Sequence, residues 1–364
     1  MPIKRLIYRH RYLGKRLLTA LGTVLPEGGQ QALRNVAERI AFSVVPEHQE
    51  ATLPPIFNAW GAMRLSADAA ELGIGSPETL YLDCIERACL RSGGTASVLS
   101  AGSGAGHLEI ALAIKLRDRG HDVTITCLEL NPDLVAAGMA AAKEAGVEGS
   151  LKYLRQDCNT AFQVPAQDVI IVNQFFHHFV DLETFCRSLR VSLAPEGELA
   201  TSDVVGRNGH MPWPSAQTVV DEFWQNVPES QRLDRHTGQV EKAFLPVNHA
   251  AYSNEGIRAQ DVVHCLHAEF AFARFFTFGG AIMPFVERRL GFNFDPGRAE
   301  DLALIRSFAE HDHRLIVEGA YPAANMIAVL CHRGRAPVCR SFPATPEQHM
   351  QRVEGQKALI GLNR

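Results

Sequence analysis

The chain has 364 residues, 46% hydrophobic and 21% charged, an ordinary globular balance, with no apolar run near the ~20 residues that cross a bilayer. Its eight cysteines are scattered without a Cys-x-x-Cys pair, which argues against a disulfide scaffold or zinc site and for reduced thiols in a cytoplasmic setting. The net charge of −4 hides two basic ends, six bases and no acid in 1–26 and six against two acids in 333–364, around a body of net −14; a body that acidic argues against nucleic acid as a partner.

Residues 1–22 read as a basic amphipathic helix. Ile3, Leu6, Ile7, Leu13, Leu17, Leu18 and Leu21 recur at helical spacing, and Lys4, Arg5, Arg9, Arg11, Lys15 and Arg16 take much of the remaining surface. Such a helix suits peripheral contact with an anionic membrane. Docking on the chain's own body is the plainer reading, and an organelle-targeting peptide is a third. The whole of 1–92 is expected to be helical, broken at Pro26-Glu-Gly-Gly and Pro54-Pro55, with a last helix over about 77–91.

The most informative stretch follows. Ser97-Val-Leu-Ser-Ala runs into Gly102, Gly104 and Gly106, and then Leu108, Ala111, Leu112 and Leu116 mark a helix face. A strand, a tight glycine turn and a helix N-terminus let backbone come close to a nucleotide-like ligand. His107 stands where a dinucleotide fingerprint needs its last Gly or Ala, which counts against a nicotinamide-dependent oxidoreductase. A second strand, 122–129, ends in Glu129, 23 residues after Gly106, near the offset at which a carboxylate meets ribose hydroxyls. A third, 151–156, leads to Asp157-Cys158, where a carboxylate could accept from an adenine amino group. A fourth, 168–173, enters Gln174-Phe-Phe-His-His, and a fifth, 197–203, ends at Asp203. Residues 206–260 read as a polar, aromatic cap insertion. Helices are expected over 281–291 and 299–317, strands over 269–278 and 325–331, and a tail over 336–364.

Val98 to Val205, about 110 residues, resembles the core of the class I S-adenosylmethionine-dependent methyltransferases. The glycine turn is similar to their first motif, Glu129 to their ribose-binding acid, Gln156-Asp157-Cys158 to their adenine-side motif, Asn173–Asp181 to the segment closing over the donor, and Leu193-Ala-Pro-Glu-Gly-Glu-Leu to the turn before their fifth strand. The resemblance implies an α/β fold with a doubly wound, mainly parallel seven-stranded sheet, preceded by the helical region 1–92 and spanning 93–335. It implies S-adenosylmethionine as cofactor, with Ser100, Gly102, Ser103, Gly104, Gly106, Glu129, Leu130, Asp157, Cys158, Asn173 and Gln174 lining its site. One departure stands out: the family's acid two residues before the first glycine is Ser100 here. Glu109 could replace it, although an exposed acid favoured by the helix dipole is the plainer account.

Ligands of open parallel sheets sit beyond the strands' carboxyl ends, so the stretches after the fourth and fifth strands face the methyl group. His178, His210 and Asp203 are the candidate proton acceptors, histidine because its pKa lies near neutrality; capping and structural bonding are the competing readings. Arg207, Asn208, Trp213 and Trp224 are candidate contacts for a small-molecule acceptor, methylated on oxygen or, as second choice, nitrogen. Natural-product, sugar and lipid-linked acceptors all fit, and a methyltransferase-like binding subunit without turnover is the non-enzymatic alternative. No metal is expected, because His249, His264 and His267 lack ligand spacing on one element.

Overall fold

The computed structural model describes residues 52–235, 238–251, 253–335 and 338–361. The basic segment 1–22 and the break at Pro26 lie outside them. In chain order the helices used below are α1 (Pro55–Arg64), α2 (Pro77–Arg91), α3 (His107–Asp118), α4 (Pro132–Glu144), α5 (Leu182–Ser192), α6 (Pro214–Asn226), α7 (Val262–Glu269), α8 (Met283–Val286), α9 (Ala299–Glu318) and α10 (Pro346–Leu359). The strands are β1 (Thr95–Ala101), β2 (Asp122–Glu129), β3 (Leu151–Arg155), β4 (Gln167–Asn173), β5 (Leu193–Val204), the short pair β6 (Leu233–Asp234) and β7 (Gln239–Val240), β8 (Phe270–Phe278), β9 (Asn325–His332) and β10 (Arg340–Phe342).

One sheet runs β10-β8-β9-β5-β4-β1-β2-β3. Its β3-β2-β1-β4-β5 half is parallel, β9 pairs antiparallel with both β5 and β8, and β10 pairs parallel with β8. The sheet therefore has eight strands rather than the expected seven, because Arg340–Phe342 adds an edge. Order reverses between β1 and β4, the place where such sheets bind ligands. Val169 to Val172 of β4 are fully buried, as a strand covered on both faces requires.

Helix α2 shows why the sequence folds locally as it does. Ser76 Oγ accepts from the Thr79 N–H at 3.1 Å and Thr79 Oγ1 from the Ser76 N–H at 2.7 Å, with Pro77 opening the helix. That reciprocal cap fixes its start. Its face of Leu80, Tyr81, Cys84, Ile85, Ala88 and Cys89 is then buried on the sheet.

The stretch 336–364, expected as a tail, contains β10 and the 14-residue α10. Polar side chains dock it. Gln356 accepts from the Ser215 N–H at 3.1 Å and donates to Ser215 Oγ at 2.9 Å, and Arg352 donates to the Ile316 carbonyl at 2.7 Å. These serve the open ends of α6 and α9, whose last carbonyls and first N–H groups lack helical partners.

The cap has its own apolar cluster, in which Phe223 stacks on Phe308 at 4.3 Å beside Trp213, Trp224 and Phe285, with Trp60 from α1. Beneath it Asp312, 2% exposed, accepts from Gly280 N–H at 3.0 Å, Ala281 N–H at 2.7 Å and the Tyr321 hydroxyl at 2.8 Å. Burial outweighs these bonds and raises its carboxyl from 3.8 to about 6. The folded chain thus holds this proton more tightly than the unfolded one. The group's stabilising contribution is complete below the unfolded value and fades as pH rises toward the folded one, a swing of ~3 kcal/mol. The Asp312→Asn variant is expected to lose that part of the pH dependence in urea unfolding at pH 4 and pH 6.5; a wild-type slope would refute the assignment.

Candidate active site

The carboxyl ends of β1, β2 and β3 form one wall. Gly102, Gly104 and Gly106 all have positive φ, +73°, +57° and +74°, a region that costs residues with a Cβ. The reasons for glycine differ along the turn. A Cβ on Gly102 would run into the ring of Phe175, and one on Gly106 into the Tyr153 hydroxyl, whereas Gly104 faces open space. Two of the three glycines are therefore demanded by the protein's own aromatic side chains.

Glu129 ends β2 with its carboxylate turned to this turn, accepting from the Gly104 N–H at 3.1 Å and the Asn131 N–H at 2.7 Å. Each oxygen keeps a lone pair for a further donor. Leu130 beside it is 49% exposed, an apolar side chain left open to solvent. Asp157 accepts on one oxygen, from the Asn159 N–H at 2.9 Å and its side-chain amide at 3.3 Å, leaving the second free. Cys158 is only 5% exposed, packed in the core, and burial pushes its thiol up to about 12. Its side chain belongs to the interior rather than to the crevice. The Ser103 hydroxyl is buried without a hydrogen-bond partner. The open glycine, a carboxylate with spare capacity and an orphaned hydroxyl fit a ribose-bearing ligand.

Glu109 corrects one expectation. It is not an exposed helix-start acid: it is 2% exposed and accepts from Ser100 Oγ at 2.5 Å. Burial raises its pKa, opposed by that bond. The carboxylate of α3 is thus turned inward to the strand residue Ser100 rather than out to solvent.

The ends of β4 and β5 form the second wall. Asn173 Oδ1 accepts from the Tyr81 phenol at 2.9 Å, whose pKa burial and the Asp203 charge raise well above normal. Gln174 takes a left-handed φ of +52°, unusual for a residue with a Cβ, and its amide donates to the Ser202 carbonyl at 3.3 Å. That kink brings the following backbone over Asp203. The carboxylate of Asp203, fully buried, accepts from the Phe175, Phe176 and Val204 N–H groups at 2.8, 2.7 and 2.8 Å, and lies 2.5 Å from His177 Nδ1. Asp203 is thus not a proton acceptor facing a substrate. It is a positioning residue, with every hydrogen bond spent on holding the turn and the His177 ring.

His177 Nε2 points at Glu255 Oε1, 3.4 Å away, and His210 Nε2 lies 3.1 Å from the same oxygen. His178 Nε2 is 3.6 Å from the other one, Oε2. Burial alone lowers the His177 pKa, but Asp203 and Glu255 on its two sides hold it up at about 10. Burial and the neighbouring His177 charge push His178 down to about 4. Burial opposes ionisation of Glu255, yet the His177 and His210 rings facing it keep its pKa well below the carboxylate range.

The loops are tied together before any ligand enters. Gly209 N–H donates to the Gly256 carbonyl at 2.8 Å, joining the His210 and Glu255 turns. Arg258 grips Glu183 of α5 at 2.7 and 2.8 Å. Asn208 and Gln260 exchange two bonds of 3.2 Å, and Arg207 donates to the Pro212 carbonyl at 3.2 Å. Arg207 and Asn208 therefore brace the loop. Trp213 and Trp224, 2% and 5% exposed in the cap core, wall no open mouth; the indole of Trp224 donates inward to the Lys242 carbonyl at 3.0 Å. His264 and His267 turn to Glu354 and Glu347 of α10. Glu255 escaped the sequence reading: Asn254-Glu255-Gly256 has the composition of any polar turn, and only the fold brings it to His177.

Residues 99–201 match the family model of the methyltransferase domain. No curated protein matches the chain. Among solved structures it is similar to the 4+2 cyclase SpnF, at 16% identity over 71% of this chain and 82% of that one, with a TM-score of 0.38. It also resembles a SAM-dependent methyltransferase from Aquifex aeolicus (20% identity, 37% and 72% of the two chains, TM-score 0.28). A third is the PH0226 protein from Pyrococcus horikoshii OT3 (12% identity, 69% and 89%, TM-score 0.35).

Proposed function

We propose that this chain, a class I S-adenosylmethionine-dependent methyltransferase by its residues 99–201, methylates an oxygen, or as second choice a nitrogen, of a small-molecule acceptor held between the Gln174–His178 turn and the cap. The cofactor supplies a sulfonium methyl group. Glu129 is assigned to the ribose hydroxyls, Asp157 to the adenine amino group, Leu130 to the base face and Gly104 to the open floor. One observation carries the acceptor reading: His177, His178 and His210 follow β4 and β5 and converge on Glu255 of the cap, and the Phe175 ring that lies against Gly102 is 6.3 Å from that of His178.

In-line displacement asks the protein to hold the nucleophile about 3 Å from the methyl carbon and to accept its proton. His178, a third exposed, is the ring of the cluster that opens toward the acceptor. Calorimetry against S-adenosylhomocysteine and NAD is expected to show binding of the first alone. His178→Ala should keep that affinity and slow methyl transfer by ~100-fold or more. Unchanged kinetics would remove His178; binding of NAD alone would end the reading. Ser100 in place of the family's acid favours a second reading, a cofactor-binding subunit, which bound S-adenosylhomocysteine without methylation of any acceptor tried would support. No helix among the described residues is long and apolar enough to cross a membrane. Contact of residues 1–22 with anionic lipid stands as a proposal, tested by liposome co-sedimentation with and without that segment.

A further inference from the structure

Three side chains of metal-ligating type converge from three separate loops. His177 follows β4, His210 follows β5 and Glu255 belongs to the cap, and their ligand atoms all lie within 4.8 Å of one another. Two donors each bound at ~2.1 Å to one ion stand about 3.0 Å apart at a right angle and about 3.4 Å apart at the tetrahedral angle. The two edges at Glu255 Oε1, 3.4 Å to His177 and 3.1 Å to His210, fall on those values.

We infer that His177 Nε2, His210 Nε2 and Glu255 bind a first-row divalent transition-metal cation, which takes the acceptor's oxygen in an open position. The inference rests on the methyltransferase reading for its chemistry, though the site itself does not. Two imidazoles and a carboxylate on one side of an ion leave positions for exogenous oxygen ligands.

Three further features support an ion over a plain ion-pair cluster. Asp203 takes the far nitrogen of His177 at 2.5 Å, the carboxylate–histidine arrangement that orients a metal ligand and fixes its tautomer. His210 Nε2 is buried and meets Glu255 Oε1 at 3.1 Å in a poorly aligned contact, a geometry that suits two ligands of one ion better than a hydrogen bond. Its backbone is held at a left-handed φ of +56° directly after Gly209 at +69°; strain of this kind persists where surrounding structure enforces it.

A cation here acts as a Lewis acid on a hydroxyl acceptor. The O–H bond would break with its proton passing to the neutral His178 ring. The acceptor oxygen would form a bond to the methyl carbon as the sulfonium C–S bond breaks, its electron pair returning to sulfur to give the neutral thioether. No oxidant or reductant is needed.

The test uses the full-length chain stripped with a chelator and titrated with Co²⁺ alone, by calorimetry and visible absorption. One Co²⁺ per chain is expected, with ligand-field absorption in the visible. Glu255→Gln and His210→Ala, both at partly exposed positions, should weaken it by at least ~100-fold, and Asp203→Asn by ~10- to 100-fold. Absence of stoichiometric uptake, or equal affinity in both ligand variants, overturns the proposal. S-adenosylhomocysteine binding measured on the same samples should be unchanged; its failure in the wild type would sink the methyltransferase reading while the cobalt titration still judged the metal site.

Discussion

Asp203→Ala is expected to cost ~3–5 kcal/mol of folding stability, the largest single loss from any polar substitution near the crevice. Its carboxylate is fully buried and has four donors: three backbone N–H groups within 2.8 Å and the His177 ring at 2.5 Å. Truncation removes every acceptor at once, leaving buried donors unpaired and the His177 charge without its partner. Asp203→Asn keeps one oxygen but turns an NH₂ toward N–H donors, so it should fall between wild type and Ala. Because the same carboxylate pins the Phe175–His177 turn, methyl transfer should fall in both variants by more than the loss of folded protein explains. Urea unfolding of the three proteins, with rates normalised to the folded fraction, checks this. Wild-type stability in Asp203→Ala would show that the turn is held by something else.

The parallel half of the sheet was legible because its strands obey local rules. β2 alternates and ends in a carboxylate where the pattern says it should, and the structure gives the same Asp122–Glu129. The crossover helices follow from spacing of apolar residues. The edge beyond β8 was not legible, since Arg340–Phe342 is three residues long and earns its place by pairing with a strand some 65 residues earlier. Helix α10 buries His349 and Gln356 alongside Pro346 and Val353, so its inward face is half polar and apolar periodicity did not reveal it.

The candidate site divides along the same line. The glycine turn, Glu129 and Asp157 are contiguous motifs with fixed offsets. Glu255 meets His177 across 78 positions of sequence, and nothing local distinguishes it. Tryptophans 213 and 224 mislead for the converse reason. Aromatic composition cannot tell a pocket wall from a core, and here burial makes them core. Glu109 shows a third limit: the helix-dipole rule places an acid at that end whether it faces solvent or, as here, the strand beneath.

Glu129→Ala is expected to lower affinity for S-adenosylhomocysteine by at least ~100-fold. A hydrogen bond to a charged acceptor is worth ~1.5–3 kcal/mol, and a carboxylate meeting both ribose hydroxyls supplies two. The structure adds a second contribution. The same oxygens hold the Gly104 and Asn131 N–H groups, so truncation also frees the turn that forms the crevice floor. Two comparisons separate these effects. Glu129→Gln preserves one acceptor oxygen, and so one of the two N–H anchors of the turn, and should lose ~10-fold. A 2′-deoxy analogue of the ligand should bind wild type more weakly but Glu129→Ala no worse than the parent ligand does, because the hydroxyl then has no carboxylate to lose. The anchoring contribution alone would weaken both ligands equally in the variant and leave the wild type's preference for the hydroxyl in place. That preference surviving in Glu129→Ala would take the ribose away from Glu129.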